Sequence, residues 1–466
     1  MSIQQFGVAV IGAGPAGTAA ALRAADLGAK TALITRGAFG GMSANEGPIP
    51  VRTLAHAARL AREARQLARY GIVANEPPSL DYARLLARAR DVVSEAREKS
   101  TLLKQIEAAG VALFERAGTA RFSDAHTMEC ESGLVLQAGA VVVCTGGISR
   151  PLQIPGGDLA VTPADAFSLA ALPNSLLVIG AGATGMQVAS IFNAFGTAIV
   201  LCQTGPRIAP TEDEDVCTEL ARAYREDGID VYEQCGPIRA IEATPNGVRT
   251  AFADRSIETQ FAVRCAGWLA DTTALNLAAA GVTIDERGFI AVDEHLRTSV
   301  SHIYAAGDAI GREMLVPQAV RDGYLAGGYA ASGKPSGVPH DVEPIGSFTD
   351  PEYARVGLTE ARARERYDVL VSVATYDETT RPIIDGRTRG FCKLVVDRVT
   401  LEILGCHVVG ERAVEVSQMA AIAMTARLKV GDVAKIPLAF PTYGNVFGRA
   451  ALRALHQLGE PLFVET

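Results

Sequence analysis

The first 129 residues contain no cysteine, and the eight cysteines of the chain begin at Cys130. They form no CxxC pair and no cluster with histidine at zinc spacing, which excludes a locally encoded metal site or redox dithiol. We expect most of them to be small buried residues in a reducing, cytoplasmic setting. No apolar run is long enough to cross a bilayer, so no integral membrane segment is expected.

Positive charge is also scarce. The 44 Lys and Arg residues are outnumbered by 52 Asp and Glu, which leaves a net charge of −8. This balance argues against a surface that follows nucleic-acid phosphates. With 48% hydrophobic and 21% charged residues, the 466-residue chain is typical of a globular protein with a large core. At roughly 150 residues per domain, its length favours about three domains.

A glycine motif follows the first apolar segment. Residues 6–11 form a continuous apolar run that predicts a strand, and Gly12-Ala13-Gly14-Pro15-Ala16-Gly17 comes directly after it. An alanine-rich helical pattern to Leu27 and a second strand over residues 31–34 complete a βαβ unit. One such motif is weak evidence, because a glycine-rich turn that binds nothing has the same pattern.

The motif recurs at Gly180-Ala181-Gly182-Ala183-Thr184-Gly185, between predicted strands at 175–179 and 198–202. Such glycines allow a tight turn, close approach of the backbone to a pyrophosphate, and close helix–strand packing. The two copies therefore predict two dinucleotide sites. A third signal is the strand that ends in Gly307-Asp308, whose carboxylate could bind sugar or ribitol hydroxyls.

Residues 52–70 and 82–106 have the periodicity of amphipathic helices. The segment 333–340 has the composition of a linker, and strand patterns at 390–396 and 403–409 follow it, with an apolar helix at 415–426. We therefore predict a separate α+β domain over residues 341–466.

Together these motifs resemble the pyridine nucleotide-disulfide oxidoreductase family, the group of dihydrolipoyl dehydrogenase, glutathione reductase and mercuric reductase. The resemblance covers nearly the whole chain. Besides the two glycine motifs, it rests on Cys144-Thr145-Gly146-Gly147, on residues 298–308, and on Phe348-Thr349-Asp350-Pro351-Glu352 with Val356-Gly357-Leu358-Thr359-Glu360.

The resemblance implies an α/β fold with two doubly wound dinucleotide-binding domains and a C-terminal α+β dimerisation domain. The expected boundaries are 1–150 for the first part of the FAD domain, 151–272 for the NAD(P) domain, 273–340 for the return of the FAD domain, and 341–466 for dimerisation. FAD would bind at Gly12, Gly14, Gly17, Thr145, Gly146, Gly307 and Asp308, and NADH or NADPH at Gly180, Gly182 and Gly185. The implied assembly is a homodimer in which the C-terminal domain completes the partner's active site.

The sequence departs from the family where the reactive disulfide is expected. The family pattern is Gly-Gly-Thr-Cys, three residues, then Gly-Cys, whereas this chain has Ser43 and Pro48 at the two cysteine positions. Neither side chain can form a disulfide or a thiolate, so a dithiol relay is not expected.

A second departure replaces the family's His-Pro-Thr motif and the glutamate that follows it. Here the sequence reads Phe440-Pro441-Thr442-Tyr443-Gly444-Asn445. We predict that the partner subunit's Phe440, Tyr443 and Asn445 face Ser43 and bind a flat acceptor, with packing of the subunit interface as an equally weighted alternative.

The family's lysine–glutamate pair beside the flavin is replaced by Arg52 and Gln187. Arg52 could bind a substrate carbonyl or carboxylate or the anionic part of the flavin, or it could bind backbone carbonyls.

Two positions that bind ribose in the family usually carry an acidic residue. This chain has Thr35 at that position in the first motif and Gln203 in the second. Gln203 does not distinguish NADH from NADPH, so the choice of nucleotide stays open. Arg207, one turn away, slightly favours NADPH.

The sequence and the family resemblance together predict an FAD-dependent NAD(P)H:acceptor oxidoreductase that reduces a small, quinone-like, non-disulfide acceptor without a metal. The catalytic candidates are Ser43, Arg52, Phe440, Tyr443 and Asn445. Two alternatives stay open: a transhydrogenase that moves hydride between NADH and NADP⁺, and a flavoprotein redox sensor without catalysis.

Overall fold

The computed structural model describes residues 3–73, 79–334 and 342–460. These residues form two compact units, one within 1–54, 81–150 and 267–339, the other within 55–80, 151–266 and 340–466. Both units combine helices with β-sheets, which confirms the α/β fold. Most of the linker predicted over residues 333–340 lies outside the described residues.

The strands, in chain order, are β1 Gln4–Ile11, β2 Thr31–Ile34, β3 Ala112–Phe114, β4 Ala120–Phe122, β5 Thr127–Cys130, β6 Val135–Val143, β7 Gly147–Ser149, β8 Ser175–Ile179, β9 Ala198–Cys202, β10 Asp230–Tyr232, β11 Ala240–Thr244, β12 Gly247–Ala251, β13 Ser256–Thr259, β14 Phe261–Arg264, β15 Trp268–Ala270, β16 Ile303–Ala305, β17 Ile345–Ser347, β18 Tyr353–Gly357, β19 Val369–Thr375, β20 Phe391–Asp397 and β21 Ile403–Val409.

The α-helices are α1 Pro15–Asp26, α2 Gly41–Asn45, α3 Pro48–Ala64, α4 Tyr82–Lys99, α5 Thr101–Ala108, α6 Pro163–Phe167, α7 Ala183–Ala194, α8 Glu214–Glu226, α9 Leu277–Ala280, α10 Val316–Ser332, α11 Glu360–Arg364, α12 Thr380–Asp385, α13 Ala413–Thr425, α14 Val430–Ala434 and α15 Asn445–Gln457.

The main sheet of the first unit has the strand order β3-β2-β1-β6-β5-β4, with β16 also paired to β6. Strands β3, β2, β1, β6 and β16 run parallel. Their ends are aligned, because Ile11 is opposite both Ile34 and Val143, and Val143 is opposite Ala305. The residues that follow these strands therefore meet at one carboxyl edge, where open α/β sheets bind ligands.

The second unit contains a parallel sheet with the order β10-β9-β8-β14 and a small antiparallel sheet β11-β12-β13. Ile179 is opposite Cys202 and Arg264 in the parallel sheet, which again aligns the carboxyl ends. The remaining sheet, β17-β18-β21-β20-β19, is antiparallel, and helices α13 and α15 pack on it.

One predicted helix is wrong in its extent. Residues 82–106 form two helices rather than one, because Ser100 has an extended backbone (ψ 125°) and its hydroxyl accepts a hydrogen bond from Leu102 N at 3.2 Å. A serine in this role ends one helix and caps the next. The predicted helix over 52–70 is α3, which begins at Pro48 and ends at Ala64, followed by a 3₁₀ turn at Leu67–Tyr70.

Candidate active site and nucleotide-binding loops

The first glycine motif forms the turn between β1 and α1. Gly12 has φ 106°, and a Cβ there would overlap the carbonyl group of Cys144, so only glycine is compatible with this turn. At Gly14 the nearest heavy atom to such a Cβ would be 3.9 Å away, on Gly41. No side chain caps α1, so its first N–H groups are available to an anion.

The other predicted FAD residues lie at the same sheet edge. Thr35 follows β2 and is buried, Thr145 and Gly146 follow β6, and Gly307 and Asp308 follow β16. The Thr145 hydroxyl is buried and has no hydrogen-bond partner among the described residues. Burial raises the pKa of the Asp308 carboxyl. An unsatisfied hydroxyl and a buried acid beside a glycine turn are the groups that a hydroxyl-rich dinucleotide would satisfy.

The second glycine motif repeats this geometry between β8 and α7. Gly180 has φ 101°, and a Cβ there would overlap the carbonyl group of Cys265. No heavy atom of the described chain lies within 4 Å of a Cβ placed at Gly182, so the space for a pyrophosphate is open. On α7, the amide nitrogen Nε2 of Gln187 is buried without a partner in the described residues.

Gln203 and Arg207 are both engaged by neighbours in the second unit. The Gln203 side-chain oxygen accepts a hydrogen bond from Ala181 N at 3.1 Å, so it braces the glycine turn. The Arg207 guanidinium lies 3.1 Å from Glu214 Oε1, and both side chains are largely exposed. The residue directly after β9 is Gln203 and not an acid, so this position offers no carboxylate to a ribose 2′-hydroxyl.

The segment that carries Ser43 folds as the short helix α2, and Pro48 begins α3. The Ser43 hydroxyl donates to Gly40 O at 3.1 Å, and the Asn45 amide donates to Gly41 O at 2.8 Å. These bonds hold the Ser43 side chain against its own loop. Arg52 lies one turn into α3 and is half-buried.

The C-terminal candidates lie in the second unit, at the start of α15. Phe440 is 56% exposed. The Tyr443 hydroxyl donates to Asp385 Oδ2 at 2.8 Å, and burial together with this bond raises the pKa of the tyrosine. Asn445 Oδ1 accepts from Thr442 N at 2.7 Å and so closes the turn before α15. Their proximity to Ser43, which belongs to the first unit, stays a prediction.

Family models match the two parts of the chain. Residues 6–323 match the pyridine nucleotide-disulphide oxidoreductase model, and residues 344–451 match the dimerisation domain of the same family. The chain belongs to the pyridine nucleotide-disulphide oxidoreductase family. The family resemblance that the sequence motifs predicted is thus confirmed, and the dimerisation domain supports a homodimer.

Similar curated proteins include a mercuric reductase of Bacillus cereus, 34% identical over 91% of this chain and 67% of the relative. A dihydrolipoyl dehydrogenase of Zymomonas mobilis is 31% identical over 97% of this chain and 99% of the relative. Among solved structures, the HOCl-induced flavoprotein disulfide reductase RclA from Escherichia coli, in its Cu(II) complex, superposes with a TM-score of 0.86. It is 24% identical over 96% of this chain and 99% of that chain, and it therefore bears on the fold alone.

The cofactors of this family member are FAD and NAD(P)H. The residues present fit both groups, since each glycine turn leaves open space beside its helix and each site holds a buried polar atom without a partner. No helix within residues 3–73, 79–334 and 342–460 is long and apolar enough to span a membrane.

The cysteines of this family member are all free, and seven of the eight are buried. Cys144 and Cys265 lie directly beneath the two glycine turns. Burial raises the pKa of Cys265 to about 12 and that of Cys130 to about 11, and it also raises the pKa of Cys144. Their expected role as small buried residues is confirmed.

The first unit contains a cavity of about 770 Å³ that none of the sequence patterns predicts. Its walls come from the first glycine turn, α1, the chain before α2, α2 itself, the junction of α4 and α5, and α10. Pro15, Thr18 and Leu22 line it from α1, and Val316 and Val320 from α10. The spacing of three and four residues between these positions was the only hint of the cavity in the sequence. The same spacing is typical of any helix that packs against a core.

Proposed function

We propose that this protein is an FAD-dependent NAD(P)H:acceptor oxidoreductase that reduces a non-disulfide, quinone-like acceptor directly. The observation that carries the proposal is the cavity beside the first glycine turn. Gly14, Pro15, Gly40 and Ser43 form part of its wall, and no cysteine is among the described residues that line it. Bound FAD and NAD(P)H supply the hydride and electron transfer.

The cavity wall suits a flat apolar molecule. Ala19, Leu22, Val316 and Val320 contribute apolar surface from two helices. The polar side chains among the lining residues include the Ser43 hydroxyl, which lies on α2. It is held by Gly40 O at 3.1 Å, so a carbonyl oxygen of the acceptor would compete for its proton. Apolar walls with a few placed polar groups are typical of small-molecule sites.

A relay through protein thiols has no support in this chain. The two positions that would carry the reactive pair are Ser43 and Pro48, and the eight cysteines are free and almost all buried. Thiolates are the reactive form, and burial raises the pKa of Cys130 and of Cys265, which makes their thiolates scarce near pH 7. The curated relatives are named for mercuric reduction and dihydrolipoyl oxidation, so the proposal departs from them.

Tyr443 and Phe440 have different parts in this proposal. The Tyr443 hydroxyl already donates to Asp385, and its ring lies 6.1 Å from that of Tyr376, which favours packing within its own subunit. Phe440 is the exposed aromatic ring of the motif and is free to contact an acceptor or the second subunit. A cytoplasmic location stays part of the proposal.

The test is anaerobic flavin reduction by NADH and by NADPH, followed by rapid mixing with quinones, small disulfides and oxygen. We expect the nicotinamide to reduce the flavin and a quinone to reoxidise it. Rapid turnover with a disulfide, or a bound flavin that neither nicotinamide reduces, would contradict the proposal.

A cavity-filling variant makes this test specific. Val320→Trp should raise KM for the quinone and leave the rate of flavin reduction by NAD(P)H unchanged. Val399→Trp is the matched control, since Val399 is 79% exposed in the turn between β20 and β21. Equal quinone kinetics in both variants would remove the cavity from the acceptor site.

Transhydrogenation is a second candidate, and Gln203 is the observation that favours it. An amide that braces Ala181 carries no charge to discriminate between a ribose hydroxyl and a 2′-phosphate. Hydride exchange from NADH to a thio-analogue of NADP⁺ measures this activity. Exchange that is much slower than quinone reduction would rule it out as the main function.

A further inference from the structure

A row of three basic side chains crosses the antiparallel sheet of the second unit. Arg355 on β18 is directly opposite His407 on β21, and His407 is directly opposite Lys393 on β20. Residues opposite each other in antiparallel strands project from the same face. His407 is fully buried and Lys393 is 3% exposed, so the row lies against other protein rather than water.

Acidic residues at the start of α8 meet this row. The Lys393 ammonium lies 3.2 Å from Asp213 and 2.8 Å from Asp215, and Glu360 of α11 is its third partner at 2.8 Å. Arg355 pairs with Glu212 at 3.2 Å, and His407 Nε2 is 3.4 Å from Asp213. The sheet of the dimerisation domain thus holds the segment 212–215 of the nucleotide domain.

The same segment is tied to the second glycine turn. Glu212 N donates to Ala209 O at 2.9 Å, and Ala209 N donates to Ala181 O at 2.8 Å. Ala181 N in turn donates to the Gln203 side chain at 3.1 Å. Both backbone polar groups of Ala181, the second residue of the glycine motif, are therefore fixed by residues 203–209. Ala209 itself has φ 45°, a conformation that needs support from its surroundings.

We propose that Lys393 is a positioning residue for NAD(P)H. It fixes Asp213 and Asp215, these residues hold the chain before α8, and that chain holds the backbone of Ala181 in the turn that receives the pyrophosphate. The dimerisation domain thereby takes part in nucleotide binding without touching the nucleotide. The inference goes beyond the proposed function, because it concerns nucleotide affinity and is independent of the identity of the acceptor.

The experiment compares Lys393→Met with wild-type holoenzyme. Binding of NAD⁺ and of NADP⁺ is measured by isothermal titration calorimetry, and flavin content by absorbance. We expect Kd for the nucleotide to rise about three- to thirtyfold, the range typical of residues that act through a contact network. KM for NAD(P)H should rise in parallel, while KM for the acceptor and the flavin content stay at wild-type values.

Two further variants separate positioning from stability. Lys393→Arg keeps the positive charge and should restore most of the nucleotide affinity. Lys435→Met is the matched control, because Lys435 is an exposed lysine of the same domain. A Lys393→Met enzyme that is folded and flavin-loaded but binds both nucleotides like wild type would overturn the proposal, even with a lowered Tm.

A milder variant keeps the test decisive if Lys393→Met does not fold. Asp215→Asn removes one partner of Lys393 whose side chain is 42% exposed. Glu219→Gln, one turn further along α8, removes an acid that pairs with Arg222 instead. We expect weaker nucleotide binding in Asp215→Asn than in Glu219→Gln. Equal affinities in these two variants would refute the positioning role.

Discussion

The two glycine turns of this protein have nearly the same backbone but different surroundings. Gly12 and Gly180 have φ values of 106° and 101°, and each lies against the carbonyl group of a cysteine at the end of a neighbouring strand, Cys144 and Cys265. The chain thus builds two equivalent turns with equivalent packing partners. In both turns the geometry is one that can receive a pyrophosphate.

The difference lies in what packs around each turn. The first turn borders an apolar cavity that includes Ser43. The second is braced through Ala181 by Gln203 and by a chain of bonds that leads to the buried ion pairs of Lys393. One turn therefore borders a cavity, and the other is held by hydrogen bonds to its neighbours. The two glycine turns thus have the same local motif but different neighbours.

The largest expected effect comes from filling the turns themselves. Gly12→Ala and Gly180→Ala each add a Cβ that overlaps a backbone carbonyl in a positive-φ conformation, which costs about 3 kcal/mol or more. We expect Gly12→Ala to purify without flavin, and Gly180→Ala to keep flavin that NAD(P)H no longer reduces. Gly37→Ala is the control, since its Cβ would meet no described atom within 4 Å. If both variants lost flavin equally, the two turns would not be independent.

A smaller effect is expected from Gly182→Ala. Its Cβ would fill the open space beside α7 without touching any described heavy atom within 4 Å, so the fold should be unaffected. The methyl group would collide with the pyrophosphate, and we expect nucleotide affinity to fall at least about tenfold, equivalent to about 1.4 kcal/mol. Thermal unfolding and calorimetric titration measure the two effects. A fall in Tm with unchanged affinity would show that the space is structural.

Arg207→Ala should have a modest and selective effect. The pair with Glu214 is exposed and contributes about 0–1 kcal/mol to stability, so the fold should be unchanged. If Arg207 contacts a 2′-phosphate, Kd for NADPH should rise about fivefold, and Kd for NADH should stay constant. Matched losses for both nucleotides, or none, would exclude Arg207 as the residue that prefers NADPH.

The smallest expected effect is that of thiol reagents on the native enzyme. Burial raises the pKa of Cys265 to about 12 and raises that of Cys144 as well, so few thiolates exist at pH 8 under either turn. Iodoacetamide should leave NAD(P)H:quinone turnover unchanged. Rapid inactivation that parallels alkylation of one cysteine would assign a thiol to the reaction and break the proposed mechanism. Raising the pH should increase labelling, because the thiolate fraction rises towards the shifted pKa.

Much of the fold was predictable from the sequence because its signals are local. The strands and the helix around Gly12, and those around Gly180, lie close to their predicted bounds, since apolar runs and glycine turns act over a few residues. The break at Ser100 was missed because the helical pattern continues on both sides of it. The capping bond from Leu102 N decides the break, and the pattern of apolar residues does not reveal it.

The candidate site shows where local signals end. The replacement of the expected cysteines by Ser43 and Pro48 is visible in the sequence, whereas the cavity combines helices α1, α4, α5 and α10, which are up to about 300 residues apart in the chain. Gln203 was predicted as a ribose ligand from its place after β9, but its side chain also braces Ala181. Side-chain partners across the fold cannot be inferred from spacing alone.

The sequence by itself determined the family, the two nucleotide turns and the loss of thiols from the expected positions, because each depends on residue type within a short segment. The tertiary structure alone decided that Lys393, His407 and Arg355 form one row against Glu212 and Asp213, and that Ser43 borders an apolar cavity. These contacts depend on strand register and helix packing, which bring distant residues together and have no local signature.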